Sequence, residues 1–216
     1  MNFSPSSEEL FRITVIDYGA GNLRSVELAL GRIGHTAEIT CDPARIAQAD
    51  SLILPGVGAF GECMAALRAS GVVPALLQAA QSGTPLLGIC LGMQMLFDQS
   101  EENGLHEGLH LIGGTVSRLD AHGAKVPHMG WNDLAVCKQT ALTAGLPEHP
   151  YVYFVHSFAC RADDRADVLF TARYGQQFDA AVQRGNVCGM QFHPEKSGPV
   201  GERLLANFAA MKKEVR

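Results

Sequence analysis

The amino-acid sequence predicts an α/β domain with a mostly parallel central sheet and an antiparallel extension in its C-terminal half. Strand-like and helix-like segments alternate through the first half, as in successive right-handed βαβ units. Two of those strands, residues 51–54 and 86–89, are continuous apolar runs of the kind covered on both faces. From Gly114 onward, strand-like segments follow one another with short connections, which favours antiparallel pairing.

Taken in order, Ile13–Ile16 is the first strand, and Asp17-Tyr18-Gly19-Ala20-Gly21-Asn22 turns the chain with two closely spaced glycines. A helix follows on Leu23, Val26, Leu28, Leu30 and Ile33, with Gly34 suited to its C-terminal cap. Ala37–Thr40 is the second strand and residues 44–49 a short helix. The third strand, 51–54, ends in Pro55-Gly56-Val57-Gly58. Helical patterns cover residues 62–68 and Val73–Gln81, the fourth strand is 86–89, and residues 93–97 open another helix. Strands are then expected at 114–119, 133–136, 152–158, Val168–Tyr174, 178–183 and 187–192, and a last helix at 200–211.

At 216 residues the chain suits one large domain, read here as 13–216 after a solvated tail at 1–12. A formal charge of −5 argues against binding nucleic acid through phosphate neutralisation. No apolar run reaches the roughly 18 residues a membrane helix needs, and the polar start lacks the pattern of a signal peptide. Six cysteines lie far apart without a C-x-x-C pair, so reduced thiols in a cytoplasmic protein are expected, five of them as small buried hydrophobes.

The sixth is different. Gly88-Ile89-Cys90-Leu91-Gly92 stands where an apolar strand ends and a helix begins. The glycines permit a turn too tight for a Cβ and project Cys90 away from the sheet, the thiol counterpart of the G-x-S-x-G elbow. A thiol at a helix N-terminus faces the positive end of the peptide dipoles, which favours thiolate. Free backbone N–H groups there can bind an oxyanion. No Asn or Gln adjoins Cys90 in sequence, so a backbone oxyanion hole is expected, with the Leu91 amide as one donor.

About 100 residues downstream, Gln191-Phe192-His193-Pro194-Glu195 follows an apolar strand. Elbow and His-x-Glu together resemble the class I glutamine amidotransferases. The resemblance implies their three-layer, flavodoxin-like fold. It also implies a triad of Cys90 as nucleophile, His193 as general base and Glu195 as its orienting carboxylate. An imidazole near its ordinary pKa can take and return a proton at neutral pH, and a carboxylate behind it fixes the tautomer. The second oxyanion donor is implied at Gly56, Val57 and Gly58, where glycines let a peptide plane reorient on activation. Gln94 and Glu102 are implied to hold the amino-acid end of L-glutamine, Glu102 pairing with its ammonium.

Three further segments resemble the glutaminase subunits of imidazole glycerol phosphate synthases. They are residues 17–26, Lys125-Val126-Pro127-His128-Met129-Gly130-Trp131-Asn132, and Tyr153-Phe154-Val155-His156-Ser157-Phe158. The last has Phe158 where Tyr is common, which changes little if Ser157 and Phe158 meet substrate through backbone. This resemblance implies a cyclase partner, a (β/α)8 barrel that receives ammonia in histidine biosynthesis, with no metal or organic cofactor. Trp131, Asn22, Ser25 and Lys196 are the interface candidates, and His128 is expected to fix its loop. Three other readings stay open on sequence: a glutaminase of another synthase such as pyridoxal phosphate synthase, a stand-alone thiol hydrolase for γ-glutamyl peptides, and a binding module with a buried Cys90.

Overall fold

The computed structural model describes residues 12–213, so the expected tail at 1–12 lies outside the described residues but for Arg12. The first half runs β1 (Ile13–Ile16), α1 (Leu23–Arg32), β2 (Ala37–Thr40), α2 (Pro43–Ala47), β3 (Ser51–Gly56), α3 (Phe60–Ala69), α4 (Val73–Gln81) and β4 (Leu86–Cys90). After it come α5 (Leu91–Met95), β5 (Phe97–Ser100), β6 (His106–Glu107), β7 (Ile112–Arg118), β8 (His128–Asp133) and β9 (Ala135–Val136). The chain closes with β10 (Tyr151–His156), β11 (Phe158–Ala162), β12 (Val168–Tyr174), β13 (Gln176–Arg184), β14 (Val187–Met190) and α6 (Gly198–Ala209).

The main sheet has the order β2-β1-β3-β4-β14-β13-β11-β7-β5-β6, and β12 adds to β13 while carrying β9. Strands β2, β1, β3, β4 and β14 are mutually parallel. Pairing turns antiparallel at β13, β11 and β7, as the short connections imply. Alternation along the central strands sends side chains to opposite faces. Ile53, Leu87 and Ile89 pack with Leu30 of α1 and Phe208 of α6 on one side. Leu52, Leu54 and Leu86 pack with Leu67 of α3 and Leu76 of α4 on the other. Three layers result, with β4 at the centre and its C-terminal end carrying Cys90.

Three sequence expectations need correction. The helix after the elbow ends at Met95, and Phe97 belongs to β5, not to a helix over 93–97. Met93, Met95, Leu96 and Phe97 are all fully buried, so the apolar run carries no periodicity that separates helix from strand. The stretch expected as one strand at 133–136 is two: Asp133 ends β8, which begins at His128 and exposes Met129 and Trp131, and Ala135–Val136 is β9 against β12. The stretch 152–158 is two strands, broken at Ser157 as the chain leaves the two-stranded β8–β10 ribbon for β11 in the main sheet. Among the described residues, no single helix is long and apolar enough to cross a membrane.

Candidate active site

Cys90 ends β4 and starts α5 with φ 55° and ψ −111°, a conformation that L-residues rarely adopt. The elbow is packed backbone to backbone. A Cβ on Gly92 would overlap the Leu54 carbonyl oxygen, and one on Gly56 would come within 2.7 Å of the Gly92 nitrogen. Only glycine fits where β3 and the elbow cross, and β3 stays paired with β4 as far as Gly56 opposite Cys90.

The second half of the site arrives on the segment after β14. His193 N–H donates to the Tyr153 carbonyl at 3.0 Å, and Ser197 Oγ donates to the His193 carbonyl at 2.6 Å while accepting from Tyr153 N–H at 3.0 Å. That stitching to β10 fixes the imidazole, whose Nδ1 lies 2.8 Å from Glu195 Oε1. His193 and Glu195 are both buried. Burial alone would hold the His193 ring neutral, but the facing Cys90 sulfur and then the Glu195 carboxylate outweigh it and push the imidazole up to about 9. His193 Nε2 is buried without a hydrogen-bond partner, and Cys90 lies close enough to raise the ring's pKa. Residues 90 and 193 therefore converge.

They converge on one cavity of about 340 Å³. Its wall includes Val57, Gly58, Leu91, Gln94, Glu102, Ser157, Phe158 and Lys196, so the residues singled out around glutamine gather in one place. Gly56 and Glu195 stand just behind it, against Cys90 and His193 respectively. Gln94 is buried and spends its Nε2 on the Phe158 carbonyl (3.1 Å) and on Gln191 Oε1 (3.0 Å), which leaves its Oε1 for a ligand. Glu102 Oε2 accepts from Phe60 N–H at 2.7 Å, holding the carboxylate at the cavity wall. Two side chains hold the carbonyls of the glycine-rich turn: Tyr18 O–H donates to Pro55 at 2.9 Å, and the Cys63 thiol donates to Val57 at 3.2 Å.

One functional neighbour is absent from the sequence-based expectations. No amide adjoins Cys90 along the chain, yet Gln191 is fully buried and turns its Nε2 toward the Cys90 sulfur at 3.8 Å. The signal was available: an amide at the exit of an apolar strand must find partners when buried. The other thiols differ from Cys90. Burial pushes Cys188 up to about 12 and raises Cys160 as well, so both stay protonated. Cys41 and Cys137 are exposed, correcting the expectation that all five would be buried. A second hollow of about 350 Å³ lies beside the Arg165–Asp179 ion pair between β11 and β13, and Cys90, His193 and Glu195 do not line it.

Of the interface candidates, Trp131 is 49% exposed on β8, stacked on Tyr151 with ring centroids 6.0 Å apart and 12° between planes. Lys196 sits at the cavity rim with its Nζ 6.0 Å from the Tyr153 ring centroid. Asn22 is half-buried and caps α1, its Oδ1 accepting from Ser25 N–H at 3.4 Å, so a local role already occupies both residues.

Comparison with known proteins bears on about nine-tenths of the chain. The family described as glutamine amidotransferase class-I matches residues 14–211. Imidazole glycerol phosphate synthase subunit HisH of Syntrophotalea carbinolica is 50% identical over 205 residues, covering 92% of this chain and 100% of that protein. The HisH subunit of Oceanobacillus iheyensis is 48% identical over 199 residues, covering 92% and 98%. Among solved structures, PurLQS from Thermotoga maritima superposes with a TM-score of 0.73 at 22% identity, covering 91% of this chain and 96% of that one. A structure described as a glutamine amidotransferase gives 0.72 at 23%, covering 92% and 99%. At such identities the two structures speak to the fold alone.

Proposed function

This chain belongs to the class I glutamine amidotransferase family, and from that premise we propose that it hydrolyses L-glutamine through Cys90, His193 and Glu195 as the glutaminase subunit of an imidazole glycerol phosphate synthase. The observation that carries the chemistry is the convergence of the Cys90 sulfur and the Glu195-backed His193 imidazole on one cavity. The kinship with HisH subunits, near half identity over nine-tenths of the chain, carries the choice of synthase.

The reaction is acyl transfer. The Cys90 thiolate attacks the side-chain amide carbon of glutamine, and the oxyanion that develops is held by backbone N–H groups, Leu91 on the elbow and one from the Gly56, Val57 and Gly58 turn. His193 gives its proton to the departing nitrogen, so ammonia leaves and a thioester remains. Water, deprotonated by His193, then attacks the thioester and glutamate is released with the thiolate restored. Glu195 holds the imidazole by Nδ1 and steadies its charged form. Gln94 Oε1 and Glu102 face the α-ammonium, while the backbone of Ser157 and Phe158 faces the α-carboxylate. Phe158 in place of Tyr then costs little.

Ammonia in neutral water is mostly protonated and cannot attack carbon, so delivery needs a closed passage to the next site. The partner is a cyclase subunit with a (β/α)8 barrel, docked over the Trp131 and Lys196 side of the cavity, with Asn22 and Ser25 at its margin. The glycine-rich turn completes the oxyanion hole when that partner is engaged. The pair works in the cytoplasm, in keeping with six free thiols. Residues 13–216 act as one catalytic domain.

A glutaminase assay of Cys90→Ala beside wild type, each with the cyclase subunit added, tests the reading. Wild type should release ammonia and the variant should not. Equal release from both would refute it.

A further inference from the structure

Strands β8 and β10 place His128 directly opposite His156, and both rings are buried. Their hydrogen bonds form a line. His156 Nδ1 lies 2.8 Å from the Phe158 carbonyl oxygen, His156 Nε2 lies 3.0 Å from His128 Nδ1, and His128 Nε2 lies 3.4 Å from Asn132 Nδ2. A carbonyl can only accept, so His156 carries a proton on Nδ1. Burial pushes His156 down to about 3 and His128 down to about 4, so both rings are neutral at pH 7. A neutral ring with hydrogen on Nδ1 has a bare Nε2. His156 Nε2 therefore accepts, His128 donates from its own Nδ1, and Asn132 donates to the bare Nε2 of His128. One carbonyl at the end of the line settles every orientation before it. Stacking holds the middle ring in place: His128 lies 4.7 Å from Phe154 and 4.2 Å from Tyr174, centroid to centroid.

The Phe158 oxygen takes its second hydrogen bond from Gln94, whose other hydrogen goes to Gln191, and Gln191 faces the Cys90 sulfur. A single carbonyl thus joins two runs of donors, one reaching back to β8 and one reaching the nucleophile. Asn132 is the residue after the exposed Trp131.

We infer that His128 and His156 are positioning residues for the glutamine pocket: their one-way relay from Asn132 holds the Phe158 carbonyl, and with it the Ser157–Phe158 wall and the Gln94–Gln191 pair beside Cys90. The inference rests on the glutaminase reading and assigns these two histidines a task within it. His156 borders the cavity, but the hydrogen bonds of both rings run to Phe158, to each other and to Asn132, not to Cys90 or His193. The relay acts through the Phe158 carbonyl.

Long-range ¹H–¹⁵N correlation spectra of the histidine-labelled protein at pH 7 read the tautomers. Both rings should be neutral with hydrogen on Nδ1. A proton on Nε2 of either ring, or a charged ring, overturns the relay. Kinetics with the cyclase present then separate positioning from mere support. His156→Leu should raise KM for glutamine about tenfold, the worth of one lost buried hydrogen bond, with kcat moving less than about threefold. His156→Asn, whose amide nitrogen can stand where Nδ1 stood, should recover most of that loss. An unchanged KM, or Asn no better than Leu, overturns the assignment. If His156→Leu does not fold, His128→Asn against His128→Leu repeats the comparison one step upstream: rescue by Asn supports the relay, and no rescue overturns it. Wild type that hydrolyses no glutamine at all would defeat the glutaminase reading instead, and the tautomers would stand.

Discussion

Gln191 points its Nε2 at the Cys90 sulfur from 3.8 Å while its Oε1 accepts from Gln94 Nε2 at 3.0 Å. One buried amide thereby ties Cys90 to the Gln94 side of the cavity wall. Gln191→Leu keeps the volume and removes both hydrogen bonds. Thioester formation in a single turnover should slow by about five- to thirtyfold, the range for one or two buried hydrogen bonds. Gln191→Glu should be worse, because a carboxylate beside the sulfur opposes the thiolate. A Gln191→Leu enzyme with wild-type single-turnover rate would show that the amide is only packing.

The His193–Glu195 pair predicts how stability depends on pH. Burial works against the charged His193 ring, yet Cys90 and Glu195 hold it up to about 9, above its ordinary value of 6.5. A folded-state pKa raised above the unfolded one means that the native protein binds the proton more tightly. The resulting stabilisation is complete below pH 6.5 and disappears as pH rises through about 9. Cys90→Ala removes the larger of the two groups that raise it. Denaturant unfolding between pH 6.5 and 9 should then show a shallower loss of stability in Cys90→Ala than in wild type, and an NMR titration should find His193 at a lower pKa. Superimposable profiles would contradict the Cys90 contribution.

The parallel half of the sheet is readable in the sequence because its strands β3 and β4 are covered on both faces and end in glycine-rich turns. The elbow at Cys90 is legible through Gly88 and Gly92, while the convergence of Cys90 with His193 and Glu195 on one cavity is what the family resemblance implies. The strands at Phe97 and His128 were not legible. From Leu91 to Phe97 every residue is buried, so helix and strand give the same pattern, while β8 turns Trp131 and Met129 outward and looks like a loop. Gln191 and the histidine pair were illegible in their roles because their partners are 28 to 101 positions away, and no local pattern encodes such a pairing.

Trp131 stacks on Tyr151 and meets Tyr153 edge-on, with 74° between those planes, yet remains 49% exposed. An ordered aromatic cluster left open to solvent suits an interface anchor. Trp131→Ala should weaken the complex with the cyclase by about 2 kcal/mol, roughly thirtyfold in Kd by calorimetry. The isolated subunit should melt within a few degrees of wild type, since the residue covers little core. A large drop in melting temperature with unchanged affinity would make Trp131 a folding residue.

Backbone strain at Cys90 should separate stability from activity. Cys90 holds φ 55° and ψ −111°, which a side chain with a Cβ occupies at a cost of about 1–3 kcal/mol. Replacing it by Ala keeps the Cβ and the strain; replacing it by Gly removes both. At an ordinary helix or strand position Gly is the less stable of the two by about 0.5–1 kcal/mol, because the unfolded chain gains freedom. Here the order should reverse. Both variants should lose thioester chemistry, but Cys90→Gly should unfold at higher denaturant than Cys90→Ala, by about 1 kcal/mol after the entropy of glycine is subtracted. Both lack the sulfur, so its loss cancels from the comparison, and what is left is the strain that the elbow imposes on whichever residue must present a nucleophile there. If Cys90→Ala proves the more stable protein, the turn is relaxed and the cysteine is held by its contacts alone.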